Sequence, residues 1–182
     1  LGIPFTGSRS FASAIAFNKQ MTKETLKDYG VLMPNHREVS NDPEINFHEI
    51  SDEIKSNFGP EYIIKPVASG SSFGVEFVNE NESLAEALAR AVLQYDKVLV
   101  EEYIHGREAT SATLEDFRNE DIYVFPSIEI VTPRNNQFFS TESKYNGKTL
   151  EICPAQFSYG ERSKIYDVSA LVHKALNLSQ YS

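Results

Sequence analysis

The residues best suited to chemistry are lysines set beside a run of glycine and serine. Lys65 closes an apolar, β-branched stretch that begins at Tyr62, and Pro66 stops it. Ala68-Ser69-Gly70-Ser71-Ser72-Phe73-Gly74 follows, short on side-chain bulk and rich in hydroxyls and free backbone N–H groups. Val75 to Val78 resumes the strand pattern, so the whole reads strand, loop, strand. Such a loop can wrap phosphate oxygens, because glycine lets the backbone come close and the amides act as fixed donors. Lys65 would add a point charge beside it. The plain alternative is an ordinary hairpin with a Gly/Ser turn. It is not a P-loop, since no Gly-Lys-Ser/Thr opens a following helix. Lys19 and Lys23, four apart, share a helix face; the usual reading of such lysines is a solvated surface.

Bulk properties narrow the partners. The chain has 182 residues, 41% of them hydrophobic, enough for one domain or two small lobes. A net charge of −9 and a pI of about 5.0 argue against a nucleic-acid face or a polybasic membrane patch. A small anionic ligand still fits, because it meets local lysines and not the net charge. The single cysteine, Cys153, rules out an internal disulfide framework and a four-cysteine zinc site, and suits a reducing cytoplasm. It reads as a packing residue. His36, His48, His105 and His173 lack metal-ligand spacing and read as surface or structural. No apolar run approaches the ~20 residues of a membrane span, and no signal peptide is visible. The sequence opens at Leu1 in loop-like Pro/Gly/Ser residues, which reads as a piece of a longer protein.

The elements that must position these residues follow in order. Ser10 to Tyr29 is helical, with Phe11, Ala14, Ile15 and Phe17 as its apolar face, a second start capped by Thr22 and a stop at Gly30. Val31 to Asp42 is extended or looped. Phe47 to Phe58 is a short amphipathic helix. Asn81 to Gln94 carries Leu84, Ala87, Leu88, Ala91 and Val92 at helical spacing. Lys97 to Ile104 is a buried strand whose end turns polar, and His105-Gly106-Arg107 is a turn. Strands are expected over Glu108 to Leu114 and Ile122 to Val131, a turn at Pro133 to Asn136, then Phe138-Phe139 and a polar loop from Ser140 to Gly147. Irregular chain runs on to Lys164, and a helix spans Asp167 to Leu176. Strands and helices alternate at first and strands follow later, which predicts two α+β lobes with a boundary near Tyr103 to Gly106. A strand ending at an interlobe hinge is a common place for a nucleotide base.

Several segments recur in a fixed order. They are Gly2 to Ser8 with Ala14 to Lys19; Ile64-Lys65-Pro66 with Ser69 to Val75; and Val98 to Ile104 with Gly106-Arg107-Glu108. Phe125 to Ile130, Glu142 to Tyr145, and Cys153-Pro154-Ala155 complete the series. Together they resemble the D-alanine–D-alanine ligase family of the ATP-grasp superfamily, over nearly the whole chain. The resemblance implies an α+β ATP-grasp fold with ATP between two lobes. Residues 1–18 would be a linker from a missing N-terminal domain, 19–104 the central lobe and 105–182 the first part of the C-terminal lobe. Lys19 and Lys65 match lysines that hold the phosphates, and Gly70, Ser71 and Ser72 the loop that closes over them. Glu101 and the backbone of Glu102, Tyr103 and Ile104 match the adenine-reading strand end, and Glu108 the carboxylate on the ribose. Lys144 and Tyr145 match a mobile loop over the γ-phosphate, with Tyr145 near Ser71; Ser71, Lys144 and Tyr145 are the expected catalytic residues.

The activity so implied joins two D-alanines through an acyl phosphate for peptidoglycan precursors, using ATP with magnesium or manganese, in a homodimer when full length. Departures are Ser69, where many members have glutamate, and Asn18, where many have aspartate. The metal ligands, on an Arg-x-Asp strand and a Glu-x-Asn segment, are expected beyond Ser182. Glu151 and Glu161 lie in what reads as irregular sequence and Asp167 at a helix start, so the chain alone is expected not to ligate, whether or not weak nucleotide binding survives in it. The alternatives are a ligase using D-lactate or D-serine as second substrate and a non-catalytic nucleotide-binding fragment.

Overall fold

Period-two burial along one strand sets the first half of the fold. In the computed structural model, which describes residues 2–132 and 149–182, strand β2 (Tyr62–Pro66) buries Tyr62, Ile64 and Pro66 and turns Ile63 and Lys65 the other way. It pairs antiparallel with β4 (Lys97–Glu102) in a register that sets Ile64 against Val100 and Ile63 against Glu101. With β1 (His36–Ser40) and β3 (Glu76–Val78) the sheet order is β1-β4-β2-β3. Helices α3 (Phe47–Asn57) and α4 (Leu84–Tyr95) cover one face. Ile54, Ile64, Val78, Leu84, Leu88, Val92, Val98 and Val100 interlock there as the core. Lys65 and Glu101 are thereby left together on the opposite face, since a one-residue slip would move both.

Helices α1 (Ser10–Phe17) and α2 (Lys19–Lys27) stand where one run with a second start was expected. The break is Asn18, extended at φ −92° and ψ 108°, and Asn18, not Thr22, caps α2 by accepting from the Met21 N–H. Thr22 lies inside α2 and donates to the Ile15 carbonyl at 2.8 Å. The break is held by the loop after β2: Asn18 bridges to Ala68, and the Lys19 N–H donates to the Val67 carbonyl at 2.9 Å. The expected apolar face of α1 is mostly open, with Phe11 and Phe17 exposed and Ala12 the buried residue.

The second half carries a sheet of order β5-β8-β9, from Glu108–Thr110, Ile128–Val131 and Leu150–Ile152, beside a β6-β7 hairpin, Thr113–Phe117 and Glu120–Val124. Both long strands expected here are therefore split. Pro126 has no N–H to donate, and the chain leaves the hairpin at that point to enter the other sheet. Arg118 and Asn119, both at positive φ, make the two-residue hairpin turn.

Helix α5 (Tyr159–Ala175) begins eight residues before the expected Asp167, so Asp167 is mid-helix and Glu161 sits in the first turn. A capping box starts it: the Ser158 hydroxyl accepts from the Glu161 N–H at 3.3 Å, and Glu161 accepts from the Ser158 N–H at 2.7 Å. Ser158→Ala is expected to lower stability by about 1 kcal/mol, read as a shift of the urea midpoint at unchanged slope. Glu151, expected in irregular chain, lies in β9. His173 is buried and bonds Thr113 Oγ1 at 2.8 Å, pinning α5 to β6, whereas Cys153, expected to pack, is exposed. The expected turn at Pro133 to Asn136, Phe138-Phe139 and the loop Ser140 to Gly147 lie outside the described residues. Among the described residues no helix is long and apolar enough to cross a membrane.

Candidate functional site

The face of the first sheet opposite its core opens on a cavity of about 350 Å³. Lys19, Lys65, Gly70, Ser71, Ser72, Glu101, Tyr103 and Glu108 all line it. A second cavity of about 510 Å³ shares Tyr103 and Glu108 and adds Ile104, Arg107, Glu129 and Ile130. The two adjoin at Tyr103 and Glu108, one beside the Gly/Ser loop and the other beside the second sheet. Glu102 lines neither: its carboxylate turns away to accept from the backbone and side-chain amides of Asn35 at 3.2 and 2.9 Å. Lys144 and Tyr145 lie outside the described residues.

The loop is built for close backbone approach. Ser71 and Ser72 both hold positive φ, 52° and 58°. That conformation costs a non-glycine residue roughly 1–2 kcal/mol each, and such strain tends to gather at ligand loops. The Phe73 N–H donates to Gly70 O at 3.0 Å and the Val75 N–H to Ser72 O at 3.1 Å, which coils the loop on itself. Gly74, at φ +73°, closes it under the ring of Tyr95.

Three lysines and one glutamate set the electrostatics. Lys19, the first residue of α2, donates from Nζ to the carbonyls of Pro66 and Ser69 at 3.0 and 2.9 Å, tying the helix start to the loop. Burial, and then the neighbouring Lys65 ammonium, hold its pKa below the ordinary lysine value, against a smaller upward pull from Glu101. Glu101 is buried between two cations: Lys65 Nζ is 2.5 Å from Oε2 and Lys23 Nζ 2.9 Å from Oε1. Burial alone would raise the Glu101 carboxyl, but Lys65 and then Lys23 outweigh it and keep the group below the usual carboxylate range. Tyr103, at the end of β4, stacks edge-on with Phe77 at 4.9 Å and His105 at 4.8 Å. Burial, then Glu61 and Glu108, push its hydroxyl up.

Two residues of this region were not legible as site residues. Lys23 was visible only as Lys19's neighbour on a helix face, and the ordinary surface reading fails: it is buried. Arg107, in the turn between β4 and β5, donates to Glu129 at 2.8 Å and to Gln156 O at 2.7 Å, and lies 4.1 Å over the Phe157 ring. It seats that turn on the second sheet. Among the described residues no cluster of three His, Cys, Asp or Glu side chains could hold a metal.

This α+β arrangement, with a Gly/Ser loop flanked by Lys19 and Lys65 and a cavity at the end of β4, is the ATP-grasp fold, shared with solved ligases. The VanG D-Ala:D-Ser ligase of Enterococcus faecalis superposes on all of this chain and 51% of its own, at TM-score 0.81 and 29% identity. A D-alanine–D-alanine ligase of Bacillus anthracis complexed with ATP aligns over 99% of this chain and 53% of its own, at TM-score 0.75 and 26% identity. The sequence model described as "D-ala D-ala ligase C-terminus" matches residues 25–182. The D-alanine–D-alanine ligase of Carboxydothermus hydrogenoformans is 37% identical over 178 residues, 97% of this chain and 55% of that relative. The chain belongs to the D-alanine–D-alanine ligase family, and it spans about half the length of the curated relatives it matches.

Proposed function

We propose that this chain carries the nucleotide site of a D-alanine–D-alanine ligase. The enzyme joins two D-alanines through an acyl phosphate formed with ATP, in the cytoplasm, for peptidoglycan precursors, and as a homodimer when complete. In this reading residues 1–18 are a linker, 19–104 the central lobe and 105–182 part of the second lobe. The observation that carries it is the cavity in which Lys19 and Lys65 flank the Ser69–Phe73 loop while Glu101, Tyr103 and Glu108 line the rest.

Each residue has a physical role there. Lys19 and Lys65 hold phosphate oxygens as point charges. The Gly70, Ser71 and Ser72 amides wrap the same oxygens. Glu101 stands at the adenine amino group, the Glu102–Ile104 backbone reads the base edge, and Glu108 accepts from the ribose hydroxyls. Lys144 and Tyr145 lie outside the described residues; the family resemblance alone gives them the part of covering the γ-phosphate and keeping water from a reactive intermediate. Two anions must meet, so the work is positioning and charge neutralisation, and no nucleophilic side chain is needed. Magnesium or manganese belongs to this reading through the nucleotide, but the described residues offer it no ligand cluster, and no step above depends on it.

A second reading keeps the fold and site and changes the second substrate to D-serine, favoured by the similarity to the D-Ala:D-Ser ligase. Product analysis of the complete enzyme with D-alanine, D-serine and D-lactate separates the two. The nucleotide site itself is tested by Lys65→Ala. Losing one charge-assisted phosphate contact should weaken ATP binding by about 1.5–3 kcal/mol, roughly ten- to hundredfold. Unchanged affinity by calorimetry would overturn the phosphate role.

A further inference from the structure

Lys23 is the buried charge that the nucleotide reading leaves unused. It stands one turn beyond Lys19 on α2, is nine-tenths buried, and does not line the cavity. It meets Glu101 Oε1 at 2.9 Å, while Lys65, which does line the cavity, takes Oε2. The Lys23–Glu101 contact is a buried ion pair, and it lowers the Glu101 carboxyl together with Lys65.

A buried carboxylate with a single counter-ion holds that ion hard, because removing it strands an unpaired charge in a low dielectric. Lys65 could then turn to a phosphate only by leaving Glu101 bare. A second cation on the other oxygen removes the conflict. Lys19 is placed differently: two of its three ammonium N–H groups donate to the carbonyls of Pro66 and Ser69, and the third is the one left for phosphate. Lys23 can serve, because its ammonium is largely buried against Glu101 and away from the cavity that Lys65 lines.

We infer that Lys23 is a positioning residue, the fixed counter-ion of Glu101 that frees Lys65 to engage the phosphate chain of a nucleotide. The inference rests on the nucleotide reading above and adds to it a residue that touches no part of the ligand.

The experiment is calorimetric titration of the 182-residue chain with ATP, ADP and adenosine, in the unaltered protein, in Lys23→Met and in Lys23→Met with Glu101→Gln. In Lys23→Met the preference for ATP over adenosine should fall about tenfold, because Glu101 now competes with phosphate for Lys65. The double variant removes the competing charge together with the unbalanced one; through the altered adenine contact it weakens ATP and adenosine alike, so both bind less tightly than to the parent, while the ratio between them should return to within about threefold of the parent's. Equal losses for ATP and adenosine in Lys23→Met would overturn the inference and leave Lys23 a packing residue. So would a double variant that folds and stays as poor a discriminator as the single one. If the unaltered chain binds neither ATP nor ADP, the nucleotide reading fails first and carries this inference with it.

Discussion

Glu101→Ala should destabilise the fold by about 3 kcal/mol near neutral pH. The substitution removes the carboxylate that two ammonium groups share, at 2.5 Å from Lys65 and 2.9 Å from Lys23. Lys65 keeps 22% of its side-chain surface open and can turn to water; Lys23 keeps only 10% and is stranded. The loss therefore sits at the low end of the range for breaking a buried pair. Replacing the buried pair outright, as Glu101→Leu with Lys23→Met, should recover most of it, because the one charge left, Lys65, can turn to water and no charge is then stranded in the interior. The effect also has a pH signature. The folded Glu101 carboxyl lies below its ordinary value, so its contribution is complete above the unfolded carboxylate pKa of about 4.3 and is lost as pH falls through the folded value. The urea midpoints of the parent and of Glu101→Ala should thus be far apart at pH 7 and draw together below about pH 4. A gap that stays constant into acid would mean that the carboxylate is not what balances these lysines.

Local patterns were legible where a single period decided them. The apolar, β-branched run from Tyr62 to Lys65 and the helical spacing of Leu84, Leu88 and Val92 locate β2 and α4 to within a few residues, because each buries one face against the same core. The site was legible for a different reason: Lys65 and the Gly/Ser loop are contiguous in sequence, and the family motifs supplied Lys19, Glu101 and Glu108. The misses were all matters of tertiary context. Nothing local says that Lys23 will find Glu101, since the pairing depends on α2 folding over the face that β4 leaves uncovered. The early start of α5 was written in Ser158 and Glu161, but Tyr159 and Val168 are exposed, so the apolar pattern that usually announces a helix is weak. The strand expected from Ile122 to Val131 is mostly β-branched and aromatic, and its Pro126, with no N–H to donate, is where the chain changes sheets. Asn18 looked like a mid-helix residue; its exchange of helix for a bridge to Ala68 ties Lys19 to the loop.

Gly74→Ala should cost about 2–5 kcal/mol and loosen the nucleotide loop with it. Two penalties add. The backbone sits at φ +73°, which a side chain resists by roughly 1–2 kcal/mol. A Cβ at this position would also stand 2.6 Å from Cζ and Oη of Tyr95 and 2.8 Å from Cγ of Pro66, and overpacking of that kind typically costs about 1–3 kcal/mol. Neither neighbour yields freely. Pro66 is paired with Val98 across β2 and β4, and the Tyr95 ring packs on the core and edge-on to Phe73 at 6.2 Å. The strain must therefore move into residues 69–74, where Ser71 and Ser72 already hold positive φ. Denaturant unfolding gives the stability loss, and ATP titration should show a parallel fall in affinity. Gly74→Asn separates the two causes, since asparagine tolerates the left-handed region better than alanine but is larger. If the dihedral dominates, Asn will be the milder change; if the Tyr95 and Pro66 clash dominates, it will be at least as severe. A Gly74→Ala protein as stable as the parent, with unchanged ATP affinity, would mean that the loop is not closed against Tyr95 as described.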